Sequence, residues 1–89
     1  MGFVNNIEKM AYLQSGWALV EENEDGSCIY LGKPLKGNAA IHENVWSIMR
    51  IEVINQRLTD GRTVRTTRTQ KAEGYHSWSD KERLTYQYI

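Results

Sequence analysis

Short apolar runs alternate with clusters of turn-forming residues over most of this chain. Residues 17–22 and 27–31 are rich in strand formers and flank the sequence Asn23-Glu24-Asp25-Gly26. The glycine at the last of these positions suits the positive φ angle of a tight turn. Two apolar runs joined by such a turn predict a β-hairpin.

The strongest apolar segment covers residues 45–54 and has apolar side chains at both even-numbered and odd-numbered positions. Trp46 and Ile48 alternate first, and the residues that follow then continue on the other parity: Met49, Ile51 and Val53. Such a change predicts either a β-bulge or a strand that is apolar on both faces. Part of the segment also fits helical spacing, but its β-branched and aromatic content favours a strand.

A second hairpin is predicted by the Asp60-Gly61 turn that follows this strand. The returning segment, residues 63–69, consists of threonine, arginine and one valine, so it has little to bury. We therefore expect it at a sheet edge or against a partner. Farther on, Ser79 is a candidate cap for a short helical turn, and residues 84–89 alternate as a closing strand.

Together these elements predict a small all-β domain, an antiparallel sandwich or partly open barrel of about five strands. The predicted domain covers residues 17–89, and residues 1–16 are expected to form an N-terminal arm or short helix. The residues expected in the core are Trp46, Ile48 and Tyr86.

The length of the chain bears on how it is stabilised. Eighty-nine residues suffice for one domain, and the core of so small a domain supplies only about 3–5 kcal/mol. The single cysteine, Cys28, excludes an internal disulfide, and no Cys/His group has the spacing of a structural zinc site. Association with other chains is the remaining source of stability, so we expect a homo-oligomer. The candidate contact residues near the start are Phe3, Ile7, Met10 and Trp17.

Charge is divided unequally between the two halves of a chain whose net charge is zero. Residues 1–44 carry three lysines against six acids, and residues 45–89 carry eight basic residues against five acids. Opposite charges of this kind favour attraction within the chain or between neighbouring copies. The basic residues of segment 57–71 are Arg57, Arg62, Arg65, Arg68 and Lys71. The four arginines are candidate interface residues.

Three interpretations of this basic segment remain open. A solvated edge strand uses charge to prevent sheet-to-sheet aggregation. A docking segment pairs with acids of a neighbouring subunit. A nucleic-acid-binding hairpin contacts phosphates, although such sites usually add aromatic residues for base stacking and none lies between Arg57 and Lys71.

Groups that perform catalysis have no recognisable arrangement in this sequence. His42 and His76 lack an identifiable nucleophile or orienting group, and Cys28 reads as a small buried hydrophobe. We predict no catalytic, cofactor-binding or metal-binding residues, and therefore no enzyme. No apolar run approaches the roughly 18–20 residues that span a bilayer, so no membrane partner is expected either.

A set of aromatic and glycine residues resembles the pattern of short structural proteins in tailed bacteriophages. That pattern has a Tyr-x-Gly-Lys start, a loop of small residues, a Val-Trp-x-Ile strand and an ending with Trp-x-Asp, Arg and Tyr. The matching residues are Tyr30, Gly32, Lys33, Gly37, Ala39, Val45, Trp46, Ile48, Arg50, Trp78, Asp80, Arg83, Leu84, Thr85 and Tyr86. The resemblance covers about residues 29–88 and departs in the middle, where this chain has its arginine- and threonine-rich hairpin.

The resemblance implies a non-enzymatic virion component, assembled in the cytoplasm of a bacterial host with other virion proteins as partners. Head decoration, a neck or tail piece and a fibre adaptor all remain open as its place in the particle. The alternative hypothesis is a small nucleic-acid-binding regulator that uses the basic segment 57–71.

Overall fold

The computed structural model describes residues 11–89, in which the strands form one open antiparallel sheet. The strands are β1 (Leu19–Glu22), β2 (Cys28–Pro34), β3 (Trp46–Arg57), β4 (Thr63–Ala72) and β5 (Tyr86–Tyr88). Each strand pairs with the next one along the chain. A 3-10 helix (Trp78–Asp80) precedes β5, and residues 11–14 are helical. The prediction of a small all-β domain of about five antiparallel strands is confirmed.

The two predicted turns join β1 to β2 and β3 to β4. In the first, Gly26 has a φ of 76°, and the Asp25 carboxylate accepts a hydrogen bond from the Ser27 amide at 3.0 Å. In the second, Gly61 has a φ of 88°, and the Asp60 carboxylate accepts from the Arg62 amide at 3.0 Å. Both turns are stabilised in the same way. The aspartate side chain accepts a hydrogen bond from the backbone amide two residues later, and the glycine between them adopts the positive φ.

Strand β3 is apolar on both faces along its first half, and its pairing with β2 is continuous from Trp46 to Glu52 without a bulge. The change of parity in the sequence therefore marks a strand covered on both sides. One face buries Ile29, Leu31, Ile51 and Val53, with Tyr12 and Trp17 packed against them. The other face holds a set that we call the aromatic cluster: Tyr30, Trp46, Ile48, Trp78 and Tyr86.

The aromatic cluster contains all four aromatic residues that carry the sequence resemblance. The rings of Trp46 and Trp78 lie 6.2 Å apart, as do those of Tyr30 and Tyr86. Gly32 lies beneath the two tryptophans, where a Cβ atom would approach Trp78 to 2.6 Å. The aromatic and glycine residues of the motif are therefore residues that pack together on one face of this sheet.

The three predicted core residues all belong to this cluster. Trp46 and Ile48 are 4% and 0% exposed, and Tyr86 is half-buried. The Trp46 indole donates a hydrogen bond to the Ala40 carbonyl at 2.9 Å, and the Tyr86 hydroxyl donates to the Lys81 carbonyl at 2.7 Å. Each polar atom that the burial of these rings removes from water is thus satisfied.

One sequence-based expectation about local structure agrees with the sheet, and one is corrected. The threonine- and arginine-rich segment 63–69, expected at a sheet edge or against a partner, has an open edge: β5 pairs only with residues 70–72 of β4, so among the described strands residues 63–68 pair with β3 alone. The cap of the 3-10 helix is Ser77, whose hydroxyl accepts from the Ser79 amide at 3.2 Å, so Ser79 is wrong as the cap. The Ser77 hydroxyl also donates to the Ile41 carbonyl at 2.9 Å, a contact with a distant loop that local sequence does not reveal.

Candidate subunit interface

The last part of β3 and the first part of β4 project beyond the other strands of the sheet as a two-stranded hairpin. We call this extension, residues 53–69, the hairpin arm. Strand β2 pairs with β3 only as far as Cys28 opposite Glu52, and β5 pairs with β4 only over residues 70–72. Residues 55–57 and 59–69 are all exposed. Five β3 residues at about 3.3 Å each extend the arm roughly 16 Å beyond the last β2 pair. Val53, at the base of the arm, is buried in the core, whereas from residue 55 onward no other described element covers either face of the extension.

The four predicted arginines all lie on the hairpin arm. Arg57 pairs with Thr63 and Arg65 pairs with Asn55, so these two guanidinium groups occupy the same face as diagonal neighbours. Arg62, at the tip, forms an ion pair with Asp60 at 2.6 Å. Arg68 is on the opposite face, 5.9 Å from the ring of Tyr88. With four arginines and a single acid, the arm is strongly basic on both faces and at its tip.

An open groove of about 490 Å³ lies against the β1–β2 turn on the face that carries the aromatic cluster. We call it the acidic groove, and its lining residues are Asn23, Glu24, Asp25, Tyr30 and Glu82. Hydrogen bonds from the side chain and then the backbone of Ser27 hold the pKa of Asp25 below its ordinary value. Burial raises the pKa of Tyr30, so the phenol stays neutral. The groove therefore combines the ionised Asp25 and two further acidic side chains, Glu24 and Glu82, with a neutral Tyr30 phenol.

The acidic groove and the base of the hairpin arm lie at the same end of the sheet. Cys28, the first residue of β2, pairs with Glu52, and the Ser27 carbonyl accepts a hydrogen bond from the Val53 amide at 2.8 Å. The turn that forms one wall of the groove is therefore fixed directly to the first residue of the arm. The long loop 35–45 is at the opposite end, where Pro34 pairs with Trp46.

The other predicted contact residues are placed differently. Phe3, Ile7 and Met10 lie outside the described residues. Trp17 is half-buried and packs against the chain's own core on the face formed by Ile29 and its neighbours, so it covers this sheet. The Lys33 ammonium lies 5.7 Å from the centre of its ring.

The two histidines and the single cysteine lie in or next to the strands of the sheet. His76 forms an isolated bridge with Trp46, and its Nε2 atom is 2.6 Å from the Glu73 carbonyl. His42 is exposed in the loop before β3, and Cys28 begins β2 as a free thiol. Among residues 11–89, no three His, Cys, Asp or Glu side chains are grouped in a way that suits a metal ion. In the same range no helix has the length and apolar character needed to cross a membrane.

Two features of this surface escape sequence analysis. The acidic groove brings residues 23–25 together with Glu82, which is more than fifty positions away, and no local pattern marks that meeting. Tyr88, which is 61% exposed, stands beside Arg68 and supplies the aromatic neighbour that the arginine segment itself lacks. The alternation of residues 84–89 predicted a strand there, but it did not predict that this strand would lie beside β4 and place Tyr88 next to Arg68.

Comparison with protein-family models, with curated proteins and with solved structures finds no match to this chain. What the chain does is therefore inferred from the hairpin arm, the acidic groove and the motif residues of the aromatic cluster.

Proposed function

We propose that this chain is a non-enzymatic structural subunit that works by assembling with other subunits of a tailed-bacteriophage virion. The hairpin arm is its docking element. The aromatic cluster is the scaffold that holds the arm in place. The resemblance of residues 29–88 to short virion proteins supports a role in a tailed-bacteriophage virion. The geometry of the arm supports a role in assembly.

The single observation that carries the proposal is the exposure of the hairpin arm. An isolated two-stranded hairpin is only marginally stable in water, and its unpaired strand edges invite pairing with another chain. In the described part of this chain, residues 55–57 and 63–68 have neither a third strand nor a covering loop. A surface that gains order and burial from a partner suits a protein whose work is assembly.

The small core points the same way. Nine hydrophobic residues are buried among residues 11–89, and they are divided between two faces of one thin sheet. Small domains of this kind usually gain stability from a disulfide, a metal or oligomerisation. Contact with a partner adds directly to the stability of the folded state, because the partner binds that state alone.

The proposal is tested by the composition of purified particles. Mass spectrometry of virions from the phage that encodes this chain should detect it after extensive washing. A variant in which residues 55–65 are replaced by a two-residue Asn-Gly turn should fold but be absent from the particles. Detection of the chain only in the infected-cell lysate would contradict the proposal, as would normal incorporation of the shortened variant.

A second candidate function, nucleic-acid binding, is favoured by one specific observation. Tyr88 lies 5.9 Å from the Arg68 guanidinium and is 61% exposed, so an aromatic ring and a basic arm share one surface. Such a combination binds phosphates through arginine and stacks bases on the ring. A two-stranded ribbon also has the dimensions of the major groove of duplex DNA.

Fluorescence anisotropy with labelled single-stranded and duplex DNA separates this candidate from assembly. If the arm binds nucleic acid, affinity falls steeply with salt, and Tyr88→Ala weakens binding to single strands about 5–150-fold, because each stacked base contributes ~1–3 kcal/mol. The control is Tyr75→Ala, since Tyr75 is 51% exposed and lies outside the arm and β5. The absence of any complex at low salt would eliminate the candidate.

A further inference from the structure

We propose that the partner of the hairpin arm is a second copy of this chain, and that the acidic groove of that copy receives the arm. The proposal rests on the function proposed above and adds the identity of the surface that the arm contacts. It predicts a symmetric dimer in which each chain contributes one arm and one groove.

Charge complementarity is the first argument. The arm carries four arginines and one acid, whereas the described residues that line the groove include three carboxylates and no basic residue. Guanidinium groups form bidentate hydrogen bonds with carboxylates, and these are among the stronger polar contacts in proteins. Opposite potentials on two surfaces also select the partner and the register of docking.

The placement of the two surfaces is the second argument. Because the Val53 amide is hydrogen-bonded to the Ser27 carbonyl, the groove lies at the foot of the arm and faces the same end of the molecule. Two copies that meet end to end can therefore lay each arm across the base of the other. This contact is isologous and closes after two chains, whereas surfaces at opposite ends would build an open filament.

The reach of the arm fits this arrangement. It extends roughly 16 Å past the last β2 pair, and in the proposed dimer this length lies across the partner's arm base and groove. The exposed Val64 and the half-buried Ile54 lie on the face of the arm that carries Arg68, opposite to Arg57 and Arg65, so the partner has to contact both faces of the arm to cover them. Single exposed ion pairs contribute little, so this apolar contact and the twofold repetition of each pair are needed for a stable dimer.

The test uses two charge-reversed variants of the full chain. The arm-reversed variant carries Arg57→Glu and Arg65→Glu, and the groove-reversed variant carries Glu24→Arg and Glu82→Arg. All four positions are exposed, and the substitutions leave the Asp25–Ser27 turn contact and the Arg62–Asp60 pair in place. Circular dichroism verifies folding, and native mass spectrometry measures the dimer. If the glutamate variant of the arm does not fold, Arg57→Gln with Arg65→Gln replaces it.

The expected result is loss of self-association in each variant alone, with dissociation constants at least tenfold higher than that of the unmodified chain. An equimolar mixture should restore the dimer, because the acidic arm then meets a basic groove and the basic arm meets an acidic one. The matched control is Lys36→Glu, which changes charge in the loop at the opposite end and should leave the dimer unchanged. With the glutamine variant, weakened self-association is the expected result.

Three outcomes would overturn the proposal: dimers that persist in both variants, a mixture that stays monomeric, or an unmodified chain that does not self-associate. Loss of DNA binding in the arm-reversed variant without loss of self-association would overturn it as well. These failures are distinguishable from failure of the proposed function, because incorporation into particles is measured independently. A chain that is monomeric in solution but present in virions would reject the dimer and retain the virion role.

Discussion

At Gly32 the aromatic cluster packs so closely against the sheet that one added carbon atom would clash with it. A Cβ atom there would lie 2.6 Å and 2.7 Å from two ring carbons of Trp78 and 3.3 Å from the ring of Trp46. Both rings are buried and in contact with each other, so a shift of Trp78 away from this site would disturb its packing with Trp46. Glycine is therefore required by close packing at this position, which explains its place in the sequence motif.

We predict that Gly32→Ala lowers the free energy of unfolding by about 1–3 kcal/mol, the usual cost of overpacking a filled core. Urea denaturation followed by tryptophan fluorescence measures the change. The control is Gly37→Ala, because no atom lies within 4 Å of a Cβ built at Gly37. Equal stability of the Gly32→Ala variant and the unmodified chain would show that the cluster is loosely packed.

The hydroxyl of Tyr86 ties the closing strand to the loop before it. It donates to the Lys81 carbonyl at 2.7 Å, while the Arg50 guanidinium lies 4.3 Å from the centre of the ring. Tyr86→Phe removes the hydrogen bond and keeps the ring, so we expect a loss of about 1 kcal/mol in unfolding free energy. Tyr88→Phe is the matched control, since its ring is 61% exposed and should change stability very little. A larger loss at Tyr88 than at Tyr86 would contradict this account.

Burial raises the pKa of Tyr86, and also that of Tyr30, in the folded protein. A raised pKa means that the folded state retains its phenol protons when the unfolded chain has lost them. Stability from this source is complete below about pH 10, the ordinary tyrosine value, and is lost as pH rises from there toward the folded-state pKa values. Urea midpoints measured between pH 8 and pH 11 should fall for the unmodified chain and fall less for Tyr86→Phe. Identical slopes for the two proteins would refute the assignment to Tyr86.

The hairpin arm lacks a neighbouring strand on either side, because among residues 11–89 its strands are paired only with each other from residue 54 onward. Local opening of such a hairpin should cost much less free energy than opening of β2 and the first half of β3. We predict that the amides of residues 55–57 and 63–66 exchange with deuterium well before those of Ile29, Leu31 and Ile48. Exchange in the arm should also slow as protein concentration rises, because docking orders it. Equal protection of arm and core at low concentration would contradict this description.

The strands and turns of this fold could be predicted from the sequence because their signals are local. The Asp25-Gly26 and Asp60-Gly61 turns, together with the β-branched runs beside them, specify both hairpins. The projection of the arm could not be predicted, since it depends on where β2 and β5 stop pairing. The short pairing of β5 with the last three residues of β4 could not be predicted for the same reason, although the open edge of residues 63–68 agrees with the edge position expected for that segment.

The candidate site was predictable only in part. The arginines were identifiable from their density along the chain, and their exposure agrees with the scarcity of apolar residues in segment 63–69, where Val64 is the single one. The groove depends on the meeting of Glu82 with the β1–β2 turn, a contact between distant parts of the chain. The role of Ser77 as the helix cap depends on φ and ψ angles and on the position of loop 35–45, which the sequence around it does not determine.

At the scale of the whole molecule, this chain has a covered end and an open end. The aromatic cluster and loop 35–45 cover one end, and the hairpin arm with its neighbouring groove forms the other. The described part is correspondingly elongated, with extents of 48 × 26 × 22 Å. An elongated subunit that presents a basic arm and an acidic groove at one end is suited to contacts that are directional and dependent on salt.

The central claim is that this chain assembles with itself through the open end, and sedimentation equilibrium over a range of protein concentrations tests it most directly. The account predicts a mass twice the 10.3 kDa of one chain at high concentration and moderate salt. Raising the ionic strength should shift the equilibrium toward the single chain, because exposed charge pairs are screened. A mass of 10.3 kDa at every concentration and salt level, with a sharp melting transition, would contradict it.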